Sequence, residues 1–333
     1  MSAVPGARQA AVAAPVPVPP LRSPAPFQAL DAVLVMGASH ASFTKTLNAE
    51  DEIFAGHYPH FPIFPGVLIY EAFAQAIRYF SAEHYLAITG VARIKSLRFL
   101  KSLYPGDTYR IDLRQVKDDA HGQIEFHMQC SCGDVPAATA VLIAGPQLAP
   151  AAPVAMPDAA LEPLETLEPL EPLEPQAALK PFSVLPQRYP MLLVDRLLRL
   201  QPGQSVTAQK NVSIAEPCYR NCLQIDHPDL LAYPHSLTIE SFAQSVGLLL
   251  DTVWDMSSAQ RDNVVVFGSF QDVTMHGHAI PGDVIIHSVR LEHGNATSAI
   301  FSGHSSVNGK TILSCKKLIG LLLPKQSLRK EAP

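Results

Sequence analysis

Two stretches of this chain, VLIYEAFAQAIRYF (Val67–Phe80) and LTIESFAQSVGLLL (Leu237–Leu250), are apolar on nearly every face, and each carries one glutamate. A helix that is apolar all round is a buried helix and needs a wrapper. The wrapper follows each helix directly. RIKSLRFLKSLYPGDTYRIDLRQVK, IEFHMQCSC and AATAVLIAG come after the first; NVVVFGSFQDVTMHGHAIPGDVIIHSVRLEH, ATSAIFSGHSSV and KTILSCKKLIGLLL come after the second. These runs alternate or stay apolar at strand length. The tripeptide Pro-Gly-Asp recurs at 105–107 and 281–283, a turn signal at the same place after each helix. The expectation is an α+β chain. One long helix, about Gly66 to His84 and again about Ser236 to Asp255, is wrapped by a curved antiparallel sheet, twice over.

At 333 residues, two domains of ordinary size are the prior. Thirty prolines are too many for a uniform fold, and they cluster at 1–26 and 146–181. The predicted organisation is a disordered Pro/Ala-rich segment at 1–26, a first domain at 27–145, a linker at 146–180 and a second domain at 181–325. The linker contains LEPLETLEPLEPLEP and six carboxylates with no cation before Lys180, whereas the whole chain is only −5. The folded parts are therefore close to neutral, which argues against a nucleic-acid-binding body. The repeat reads as a stiff spacer, with docking through its leucines as the alternative.

The prolines at 15, 17, 19 and 20 interrupt any apolar core of a signal peptide, and no apolar run reaches the ~20 residues that span a bilayer. Five cysteines, odd in number and irregular in spacing, suggest free thiols in a reducing compartment. The expected location is cytoplasmic. Cys130 and Cys132 share one strand face without further metal ligands nearby, so they read as structural.

The first half contains Gly56-His57-Tyr58-Pro59, then Pro62, Pro65 and Gly66, then Glu71-Ala72, Ala74 and Gln75. This series resembles the signature of the FabZ-type 3-hydroxyacyl-[acyl carrier protein] dehydratases, which have a hot-dog fold. The second half resembles the same family in LPQRYPMLLVDRLLRLQPG (Leu185–Gly203), in KNVSIAEP and in Glu240 and Gln244. Its histidine loop is degenerate. The first half keeps only a vague counterpart of the opening segment, FQALDAVLV. Each half is preserved where the other has drifted, which suggests division of labour after duplication. The resemblance implies two tandem hot-dog domains paired as an intramolecular pseudo-dimer.

Dehydration of a 3-hydroxyacyl thioester needs a base for the C2 proton, an acid for the departing C3 hydroxyl and a donor for the thioester oxygen. Histidine suits the first, and a glutamate whose pKa is raised by burial suits the second. Backbone N–H groups at a helix N-terminus, here at Gly66, suit the third. In the family the histidine and the acid come from opposite units of a pair. The implied catalytic set is therefore His57, Glu240 and Gly66. Glu71 would then face the second half's histidine position. Counting forward from Ala215-Glu216-Pro217 puts Cys222 there, giving a pseudo-site of Glu71 and Cys222. His227 is the alternative base at that site, and His235 stands where the helix-start glycine would be.

The resemblance further implies a substrate carried on the phosphopantetheine of an acyl carrier protein, with no cofactor or metal of the enzyme's own. A basic docking edge is expected for an acidic carrier, with Arg93, Lys95, Arg98 and Lys101 as candidates. Their alternative is an ordinary solvated strand with lysines protecting an edge. No nucleic-acid or membrane partner is expected, and further homo-oligomerisation is open. Rival readings are a hot-dog thioesterase and a non-catalytic acyl-binding partner of another dehydratase. Glutamate, not aspartate, at both acid positions favours dehydration without isomerisation.

Overall fold

The computed structural model describes residues 16–18, 27–59, 61–118, 122–146, 180–220, 231–254 and 263–328. The first half contains β1 (Val16–Pro17), β2 (Ala32–Met36), β3 (His40–Thr46), α1 (Glu52–His57), α2 (Gly66–Glu83), β4 (Gly90–Phe99), β5 (Thr108–Asp118), β6 (Ile124–Cys132) and β7 (Val135–Gly145). The second contains α3 (Pro181–Val184), β8 (Arg196–Gln201), β9 (Ser205–Asn211), α4 (His235–Leu250), β10 (Asn263–Met275), β11 (Val284–Gly294), β12 (Ser298–Val307) and β13 (Lys310–Pro324). Of the Pro-rich N-terminal segment, residues 16–18 are described, and β1 pairs with β2 there. Most of the acidic linker lies outside the described residues.

The strands form one antiparallel sheet in the order β1-β2-β3-β5-β6-β7-β4-β10-β13-β12-β11-β9-β8. Leaving β1 aside, the order reads the same from either end, with β4 and β10 at the centre. Those two strands join the halves, with Leu97 opposite Phe270 and Ile94 opposite Val273. The candidate docking strand β4 is thus an interior strand, not an edge, so its cations guard no open ladder.

Each half wraps its sheet around one helix. Thirteen of the eighteen residues of α2 are buried, and so are fourteen of the sixteen of α4. Burial on all faces, with Phe73, Phe80, Phe242 and Leu249 at or near zero exposure, supplies roughly 1.5–3 kcal/mol per large apolar side chain. The observed helices start at Gly66 and His235, each just after a proline cap residue. The second ends at Leu250, earlier than its apolar pattern suggests.

The repeated Pro-Gly-Asp turns hold matching positions. Gly106 (φ +82°) and Gly282 (φ +99°) occupy a region that L side chains avoid. Their N–H groups donate to the Leu47 and Val212 carbonyls, both at 2.9 Å. Each turn thereby braces the loop that leads to its half's histidine position.

Candidate active site

His57 is the last residue of α1, a short helix ending in the loop Tyr58–Pro65. Two contacts with the second half bracket it. On one side the Arg188 N–H donates to the Gly56 carbonyl at 2.7 Å. There the backbones run so close that a Cβ on Gly56 would lie 2.8 Å from the Tyr189 carbonyl and from Pro190. On the other side the Tyr58 hydroxyl donates to the Val265 carbonyl on β10 at 2.7 Å.

The His57 ring is buried, and its Nδ1 lies 3.1 Å from the Ile63 carbonyl. A carbonyl only accepts, so Nδ1 carries the hydrogen and Nε2 keeps a free lone pair. Burial lowers the pKa to about 4, partly opposed by the Ile63 hydrogen bond. His57 is therefore a neutral imidazole at working pH, the form a base requires.

Glu240 lies on α4 and is buried. Gln244 Nε2 donates to its Oε1 at 2.9 Å, and the other oxygen has no partner among the described residues. Burial raises its pKa to about 7, against a smaller lowering by Gln244. The phenol of Tyr58, next to His57 in sequence, is pushed well up, first by burial and then by the charge of Glu240. Gly66 opens α2, and within its first turn the Leu68 N–H already donates to the Pro65 carbonyl at 3.0 Å, which leaves the Gly66 and Val67 N–H groups ahead of the helical ladder. The Phe99 ring lies 2.9 Å from where a Gly66 Cβ would be, so only glycine leaves that wall undisturbed.

Glu71 has the same helical position in the other half but different surroundings. Its Oε1 accepts from Gln75 at 2.9 Å and from Arg78 at 3.1 Å, and its Oε2 accepts from Ser236 at 2.8 Å. Its charge reaches His235 and Cys218 in the second half as well as Tyr70 and Tyr109 in its own. His235 is the first residue of α4, as Gly66 is of α2, and its Nε2 lies 3.0 Å from the Gly277 carbonyl.

Cys222 and His227 lie outside the described residues. The described part of the loop before them keeps step with the first half as far as Tyr219. Asp51 N–H donates to Asn48 and Phe54 N–H to Asp51; Glu216 N–H donates to Ser213 and Tyr219 N–H to Glu216 in the same pattern. Among the described residues no cluster of three or more metal-ligating side chains occurs.

Sequence reasoning missed two contributors. Arg78 and Ser236 satisfy Glu71, and the signals for them were an arginine in an apolar helix and a serine where the first half has Val67. Gln75 and Gln244 also do more than mark a motif. Gln244 bridges Glu240 to the Met191 carbonyl and the Leu193 N–H; Gln75 bridges Glu71 to the Phe27 carbonyl and the Ala29 N–H. The vague opening of the first half is thereby held as the family-like opening of the second is.

Of the candidate docking cations, Arg93 is ion-paired with Asp272 on β10, and Lys95 with Glu125 at 2.7 Å. Arg98 and Lys101 are exposed and have no ion-pair partner among the described residues.

Comparison with known proteins fits this geometry. A family profile described as ApeI-like, ApeI dehydratase, matches residues 36–139, and one described as a FabA-like domain matches residues 185–316. The 3-hydroxyacyl-[acyl-carrier-protein] dehydratase FabZ of Polynucleobacter asymbioticus is 34% identical over 131 residues, covering 39% of this chain and 83% of the relative. The chain belongs to the FabZ dehydratase family. The FabZ of Nitratiruptor sp. is likewise 34% identical, over 132 residues and 86% of its length. The FabZ likeness extends to a hot-dog fold. The dehydratase domain of PpsC from Mycobacterium tuberculosis superposes with a TM-score of 0.57 at 14% identity, over 89% of this chain and 98% of that one. The dehydratase domain of the CurJ module of curacin polyketide synthase gives 0.57 at 12% identity, with the same coverage. At such identities these two speak for the fold alone.

Proposed function

We propose that the chain is a 3-hydroxyacyl-[acyl carrier protein] dehydratase of fatty-acid or polyketide-type biosynthesis. It is built as tandem hot-dog domains, 27–145 and 181–325, joined as an intramolecular pseudo-dimer with one working site. The relatives named as such dehydratases support the activity. The sheet order that reads alike from both ends, with β4 against β10, supports the pairing.

The single observation that carries the site is the contrast between the two glutamates. Glu240 has an open oxygen and a pKa near neutrality; Glu71 has both oxygens occupied. In the reaction His57 Nε2 takes the C2 proton, and the electron pair of that C–H bond becomes the second bond of C2=C3. The C3–O bond breaks, and Glu240 gives its proton to the leaving hydroxyl, which departs as water. The product is the trans-2-enoyl thioester. The protonated His57 and ionised Glu240 exchange a proton with solvent to reset. N–H groups at Gly66 hold the thioester oxygen as negative charge builds on it. The substrate's own phosphopantetheine supplies the thioester, so no resident cofactor enters. Arg98 and Lys101, the two candidate cations left unpaired, are the better docking contacts for an acidic carrier in the cytoplasm.

The test is intact-mass spectrometry of a 3-hydroxyacyl carrier protein incubated with the chain. Loss of one water is expected, and His57→Ala should abolish it. Release of free acid would make the chain a thioesterase. No change across several acyl lengths would make it a binding module.

A further inference from the structure

Glu71 lies in the same half as His57, yet both oxygens of its carboxylate are occupied, by Gln75, Arg78 and Ser236. The helices align through Glu71 with Glu240 and Gln75 with Gln244. On that register Ser236 corresponds to Val67, and Arg78 to Gly247. The two groups that occupy Glu71 therefore have no donor side chains as counterparts beside Glu240. Ser236 is completely buried and is the second residue of α4. Glu240 follows it by four residues, one helical turn further along the same face. The bond from Ser236 Oγ to Glu71 Oε2 at 2.8 Å thus ties α2 to the turn directly ahead of Glu240. Arg78, from the same helix as Glu71, holds the other oxygen at 3.1 Å and fixes the carboxylate in the orientation that Ser236 meets.

We propose that Arg78, Glu71 and Ser236 form an interhelical clasp that positions Glu240, so that the second site contributes to the reaction without performing chemistry. The clasp rests on the reading of Glu240 as the acid. Glu71 and Ser236 are positioning residues in it: they act on the first turn of α4 and touch no reacting atom. A hydroxyl at 236 is necessary because the opposing carboxylate needs a donor there. Threonine would serve, and valine, the residue of the other half, would not.

The test uses the full chain and reads kcat and KM separately, beside thermal melting. Ser236→Val and Glu71→Gln should each lower kcat ~10-fold, below the ~100-fold cost of a 1 Å misplacement, with KM within about twofold. The double variant should be no worse than the poorer single, because both changes open the same clasp. Ser236→Thr should restore kcat to near the unaltered value. Lowered melting temperature with kcat unchanged in both single variants would reduce the network to a structural tie and overturn the proposal. A loss on Glu71→Gln as deep as that on His57→Ala would make Glu71 the acid and overturn it as well. If Glu71→Gln fails to fold, Ser236→Val and its threonine rescue decide alone. Should the unaltered chain dehydrate nothing, the functional reading falls first. The clasp's positioning role falls with it, and the double-mutant cycle in melting temperature then tells the two failures apart: coupling leaves Glu71 and Ser236 as a structural tie only, and additivity refutes the tie as well.

Discussion

Replacing Glu240 with glutamine should stabilise the protein as pH rises while removing its activity. The amide keeps the shape and still accepts the hydrogen bond from Gln244, but it does not titrate. In the unaltered chain burial raises the carboxyl from an ordinary 4.5 to about 7. Its folded pKa therefore exceeds its unfolded one. The contribution to stability is fully present below pH 4.5 and is lost as pH climbs through about 7. At 1.36 kcal/mol per pH unit, that gap amounts to about 3 kcal/mol lost by pH 8. Glu240→Gln is exempt from the loss. Its melting temperature should match that of the unaltered protein near pH 4.5 and exceed it at pH 8 by about 5 °C or more, taking roughly 2–4 °C per kcal/mol. Other titrating groups are common to both proteins and cancel in the difference. The assay is a pair of thermal melts at each pH, with dehydration measured on the same samples. An offset between the two proteins that is the same at both pH values would refute the reasoning, because it would mean that Glu240 does not hold an elevated pKa.

Three further outcomes are expected. The pH dependence of kcat/KM should be bell-shaped, rising through about pH 4 as His57 loses its proton and falling through about pH 7 as Glu240 loses its own; a stopped-time assay of enoyl product across pH 4–9 checks both limbs. His57→Ala should lower kcat by ~100- to 10,000-fold, the usual worth of a positioned base, with the fold intact by circular dichroism. Gly56→Ala should force its Cβ against the Tyr189 carbonyl and Pro190 and lower kcat by ~100-fold through displacement of the neighbouring His57, a loss visible in steady-state kinetics.

The fold was legible in the sequence to the extent that local pattern dictates it. Helices with no polar face had to be wrapped, and strands of period two with a repeated Pro-Gly-Asp turn named the wrapper. The meeting of β4 and β10 was not legible, because an interior strand of alternating pattern looks alike whether it joins halves or lies within one. For the candidate site, the sequence names residues and leaves their bonds open. His57 and Glu240 came from motif and pairing. Arg78 was invisible as a ligand of Glu71 because the two are seven residues apart on one helix, and a lone arginine on an apolar helix reads as a side chain reaching for solvent. Ser236 was invisible for a different reason: its partner is 165 residues away, on the other helix. The clamping role of Gln244 was missed because a motif records that a glutamine stands there, not which backbone groups it holds.

The sheet order that reads alike from both ends has a consequence for how such an enzyme can change. In a symmetric homodimer every substitution occurs at both interface sites at once. An arginine seven residues after each acid would fill both carboxylates and leave no site with a free one. A serine in place of each Val67-type residue would do the same from across the interface. Only when the two copies are written separately in one chain can one site take both residues while the other keeps glycine and valine. On the proposed reading, covalent fusion does more than hold two domains together: it allows substitutions that would fill both sites of a dimer of identical halves.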